Sequence, residues 1–146
     1  MHYLVIPDQE DELEPLVAKV VEIAAGNPHS TFDLLVPLGH RSHSPVALEE
    51  ARVHAETHLQ HAQRVLGDHG VAADGTVARH RLAWSIDHAV ADGRYDAIIL
   101  STPSQPIRRA GRLDVASHVR RTFGLPVIHV ATPGAHWPQP PPDQGR

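Results

Sequence analysis

Apolar residues in this chain follow two patterns: short continuous runs, and longer stretches spaced at three and four. The first predicts buried strands and the second helices with one covered face. Tyr3–Ile6, closed by Pro7 and Asp8, reads as a strand. Acidic residues over Glu10–Glu14, followed by Pro15, suit a helix N-terminus. Leu16, Val17, Val20, Ile23 and Ala24 then keep helical spacing until Gly26-Asn27-Pro28 stops it. Phe32–Val36 predicts the second strand, and Pro37–Pro45 a polar loop. A long helix from about Val46 to Asp68 carries Leu48, Ala51, Ala55, Leu59, Ala62 and Leu66 on one face, with Gly67 and Gly70 at its end.

The second half repeats the alternation. A third strand is expected around Thr76–Ala78, with Asp74-Gly75 interrupting its run. Trp84–Ala91 has a short helical pattern ended by Asp92-Gly93. Ala97–Leu100 predicts the fourth strand, Ser101–Leu113 a polar loop, Asp114–Phe123 the last helix, and Val127–Val130 the fifth strand. Strands alternating with helices argue for a parallel sheet covered on both faces. Right-handed crossovers favour a three-layer, doubly wound, five-stranded sheet in the order 3-2-1-4-5. The expected domain spans residues 1–132. Residues 133–146 form a Pro-rich tail expected to be extended or disordered.

Composition narrows the function classes. At 146 residues, 41% hydrophobic and 21% charged, the chain fits one globular domain with a core of its own. A formal charge of −4 gives no general reason to expect DNA, RNA or an anionic membrane as partner. The absence of cysteine excludes disulfides, thiolate catalysis and sulfur-ligated metals. No apolar run approaches the roughly 20 residues that span a bilayer. The N-terminal segment lacks a basic region ahead of its apolar run, so the expected location is cytoplasmic.

Thirteen histidines raise the question of a metal. His54, His58 and His61 fall at i, i+4 and i+7, on one side of the long helix, where imidazoles can chelate zinc, nickel or copper. Nothing in sequence completes that site, and HEXXH is absent, so the expected role of the stripe is structural. His40 and His43 lie in the loop after the second strand, at the sheet edge shared by Asp8 and Ser101 in the predicted fold. His129 falls inside the last strand, half-buried or at an interface. A Ser-His-Asp relay lacks its G-x-S-x-G elbow at Ser101, so no catalytic residue is assigned.

The strand ending in Asp8, the long second helix and the closing run YDAIILST…ASHVRRTFGLPVIHV resemble the universal stress protein family over about Met1–Thr132. The resemblance implies the flavodoxin-like, adenine nucleotide alpha hydrolase-like form of the fold derived above. That family contains members that bind ATP and members that do not. Binding members carry G-x2-G-x9-G-[ST] after the fourth strand and an Asp at the end of the first strand that contacts the nucleotide. Asp8 matches that aspartate, and Val36 matches the position whose backbone meets the adenine.

The glycine motif is not matched. Ser101 and Ser104 stand at its first two glycines, with Thr102 between them, and Leu113-Asp114 stands at its close. Serines and prolines cannot bring N–H groups to converge on an anion as glycines do. Asp114, read as the N-cap of the last helix, would place a carboxylate at that helix's anion position. Arg108, Arg109 and Arg112 in the same loop, with Arg120 and Arg121 beyond, can hold phosphate without glycine or serve as a solvated surface.

The candidate pocket therefore comprises Asp8, Val36, Ser101, Thr102, Ser104, Arg108, Arg109, Arg112 and Asp114. The expectation is a non-enzymatic stress-response or regulatory module with no cofactor, not binding ATP in the usual way. One alternative binds nucleotide through Asp8 and the arginines. Another senses metal through the helix histidines. A homodimer through the apolar edge Pro126–Val130 is expected, and Pro138–Pro142 offers a polyproline ligand for a protein partner.

Overall fold

The computed structural model describes residues 1–8, 13–38, 44–91, 94–103 and 106–132. The chain runs β1 (His2–Ile6), α1 (Glu14–Gly26), β2 (Thr31–Val36), α2 (Pro45–Asp68), β3 (Ala73–Val77), α3 (Leu82–Val90), β4 (Ala97–Pro103), α4 (Pro106–Phe123) and β5 (Val127–Thr132). The five strands form one sheet in the order β3-β2-β1-β4-β5, every neighbour parallel, as the alternation predicts. No described helix is long and apolar enough to cross a membrane.

Side-chain alternation along β1 sorts the core into two halves. Tyr3 and Val5 point with Phe32, Leu34 and Ile99 toward Leu16, Val17 and Val20 of α1 and Ala62 and Leu66 of α2. Leu4 and Ile6 point with Leu35, Ile98 and Leu100 toward Ile86 and Val90 of α3 and Ala116 and Val119 of α4. Both faces being covered, successive strand residues are all buried, which is why these strands read as continuous apolar runs.

Local chemistry closes the helices where expected. Ser44 caps α2 by accepting from the Ala47 N–H at 3.4 Å, and Pro45 occupies the first turn. The same helix ends with Val71 N–H donating to the Leu66 carbonyl and Gly70 N–H to that of Gly67, with Gly70 at φ +80°. That six-to-one, five-to-two pattern needs a left-handed residue, which only glycine adopts cheaply.

Three predicted boundaries are corrected. The third strand begins at Ala73 and runs through Asp74-Gly75 rather than starting after them. It is an edge strand, and the missing Cβ of Gly75 makes room for Leu59 of α2. The fourth strand runs on through Ser101–Pro103 and the last helix begins at Pro106, so the predicted loop Ser101–Leu113 is mostly strand and helix. Gly111 and a run of polar residues hide its periodicity, while Pro106 suits a first turn.

Candidate functional site

β1 and β4 lie side by side at the centre of the sheet, yet their following helices cover opposite faces. The chain parts above their C-terminal ends, which is where ligands of open α/β sheets bind. The strand ends carry Pro7-Asp8 and Ser101-Thr102-Pro103. Asp8 is 7% exposed, Ser101 2% and Thr102 5%.

Arginines of α4 cross this crevice. The Arg108 guanidinium forms an ion pair with the buried Asp8 carboxylate. Arg112, one turn later on the same helix face, donates from Nη2 to the Pro7 carbonyl at 3.3 Å and from Nη1 to the Ser101 carbonyl at 3.4 Å. One guanidinium thus neutralises the carboxylate at the end of β1. The other ties the end of β1 to β4. A planar donor fork suits two separated carbonyls in a way a lysine ammonium does not.

Two histidines flank the crevice. His129 Nδ1 lies 3.0 Å from Thr102 Oγ1, joining β5 to β4. Partial desolvation lowers the His129 pKa, and the guanidinium groups of Arg120 and Arg109 add to that. His58 of α2 is half-buried, and its Nε2 is buried with no hydrogen-bond partner among the described residues. Burial lowers its pKa first, then the like charges of His61 and His54, while the Asp8 carboxylate opposes them.

The remaining predicted positions divide. Val36 is fully buried at the end of β2, and its carbonyl already accepts the Ala78 N–H at 2.8 Å. Arg109 is exposed on α4. Asp114 is not an N-cap: it lies inside α4 and is exposed, because the helix starts well before it. No carboxylate from Asp114 therefore stands at the helix N-terminus. Ser104, His40, His43, Asp92-Gly93, the acidic run before Leu13 and the tail 133–146 lie outside the described residues.

Among the described residues the histidine stripe is not part of a metal-binding cluster. His54 and His61 are exposed while His58 turns inward, and no three His, Asp or Glu side chains among the described residues are placed to share an ion. The sequence signal for the inward position of His58 is its place beside the apolar positions Ala55, Leu59 and Ala62.

No protein-family model matches the chain, and no curated protein matches it by sequence. Solved structures do match it by fold. The universal stress protein UspA from Lactobacillus plantarum superposes with a TM-score of 0.70 at 17% identity, covering 89% of this chain and 97% of that one. A universal stress protein from Archaeoglobus fulgidus, solved in complex with dAMP, gives 0.66 at 17% identity, over 89% and 97%. A universal stress protein family member from Burkholderia pseudomallei gives 0.65 at 18% identity, over 88% and 94%. At these identities the likeness establishes the shared fold.

Proposed function

We propose that this chain is a universal-stress-protein-like regulatory or stress-response module that works without catalysis and does not take ATP in the usual way. The ion pair between Arg108 and buried Asp8 carries this reading. In nucleotide-binding members of the resembling family, the aspartate at this strand end contacts the ligand. Here its charge is met from within the chain, and Arg112 spans the adjoining gap between Pro7 and Ser101. Ser101 and Ser104 stand where the family's first two glycines would expose converging N–H groups. A nucleotide entering here would have to displace two anchored guanidinium groups before gaining any contact. The reading includes a soluble cytoplasmic protein that dimerises through the β5 edge.

A second reading has one observation behind it. The Archaeoglobus fulgidus neighbour was solved with dAMP, and the same two arginines offer donors to a phosphate. Titration of the wild-type protein with ATP, AMP and dAMP, with magnesium, decides between them. The expected result is an unchanged melting temperature and no calorimetric heat at about millimolar ligand, where a useful site would add about 2 kcal/mol or more of stability. A saturable melting shift that disappears in Arg108→Gln would replace the first reading with the second. Steady nucleotide turnover lost in Asp8→Ala would overturn the non-enzymatic part.

A further inference from the structure

A groove of about 550 Å³ opens between α1 and α2 and shares no lining residue with the crevice at Asp8. Helical spacing builds it. Val17 and Val21 of α1 and Val65 of α2 supply an apolar floor, and the small side chain of Ala18 leaves the space open. Its size is that of a small-molecule site. The α1 column Glu14-Ala18-Glu22, repeating every fourth residue, sets a carboxylate at each end of that gap.

The two carboxylates are not equivalent. Glu22 is paired with Lys19 at 3.3 Å. Glu14, in the first turn of α1, has no ion-pair partner among the described residues. An apolar floor ending at an exposed carboxylate outside any described ion pair matches a molecule with an apolar body and a cationic head. From this we infer that the α1–α2 groove is a binding site for a small amphiphilic amine, its ammonium at Glu14 and its apolar body over Val17, Val21 and Val65. The site is independent of the crevice reading, since it shares no residue with it.

Three isosteric probes test the assignment: 4-phenylbutylamine, 4-phenylbutan-1-ol and 4-phenylbutyrate, each titrated into the isotope-labelled full chain and followed by backbone amide shifts. The amine is expected to move the amides of Val17, Val21 and Val65 saturably, to bind more tightly than the alcohol, and to leave the amides of Asp8 and Arg108 in place. Glu14→Gln should weaken the amine by about threefold or more and leave the alcohol unchanged, while Glu22→Gln should have little effect. Ala18→Leu should abolish binding of all three; position 18 is exposed and leucine is a good helix former, so this variant stays folded. Butyrate binding as well as the amine would overturn the inference. So would shifts centred on Asp8, binding that survives Ala18→Leu, or groove amides that move with protein concentration alone, which would assign the groove to a second copy.

Discussion

Arg108 and Asp8, far apart in sequence, form an ion pair, a guanidinium 26% exposed against a carboxylate 7% exposed. The pair joins the first turn of α4 to the second residue after β1, directly over the point where the sheet's connections diverge. A charge buried at such a point is tolerable only when paired and hydrogen-bonded. The crevice is therefore a stability element as well as a candidate site.

Removal of Arg108 tests that coupling. Arg108→Met should destabilise the fold by about 2–3 kcal/mol, because the buried carboxylate loses this guanidinium while keeping its desolvation cost. Asp8→Asn in the same background should recover part of the loss. Urea denaturation of wild type, both single variants and the double variant gives the coupling directly. A coupling near zero would mean that the pair contributes nothing net.

Acid should weaken the fold through His58. Its imidazole is held below the ordinary value of 6.5, chiefly by burial, so the folded chain binds its proton less readily than the unfolded chain. The unfolded state then carries more bound protons just below that value, and stability rises with pH through this window. Stability should be fullest above the unfolded pKa of about 6.5 and fall as the pH drops toward the lowered folded value. His129 shifts in the same direction and adds to the slope. Denaturation series from about pH 8 to about pH 5 should show a shallower loss for His58→Gln than for wild type.

Gly75 reports on the packing of α2 over β3. A Cβ placed there would come within 2.5 Å of Leu59 Cδ1 and 3.1 Å of the Leu34 carbonyl oxygen. The leucine tip can move, whereas the strand carbonyl cannot follow it. Gly75→Ala should therefore cost about 1–3 kcal/mol by overpacking. Combining it with Leu59→Val should return part of that loss in thermal or urea denaturation. Equal stability of Gly75→Ala and wild type would show that α2 is free to shift.

The parts of the fold that read clearly in sequence share one physical property. β1, β2 and β4 are covered on both faces, so the short apolar runs Tyr3–Ile6, Leu34–Val36 and Ala97–Leu100 stand out from any background. β3 pairs along one edge only and alternates half-buried with exposed residues, so Asp74-Gly75 looks like a break although the ladder passes through it. The first turns of α4 carry arginines and Gly111 where a helix pattern would show apolar residues. That single boundary changed the site. With the helix starting at Pro106, Arg108 and Arg112 stand one turn apart on one face and reach β1 together, while Asp114 leaves the helix N-terminus for the exposed surface.

What the sequence alone determined was the alternation of buried runs and amphipathic stretches, and with it the parallel sheet, its order and the position of Asp8 at a strand end. Those follow from local burial and the handedness of crossovers, both of which act over short stretches of chain. Tertiary structure decided what Asp8 meets. An ion pair between residues on different sides of the sequence depends on where α4 begins, how it lies over β4, and which groups are cut off from water. None of these quantities is local, so the arginines that sequence left open between phosphate ligands and solvated surface became, in the folded chain, partners of its own buried carboxylate and backbone carbonyls.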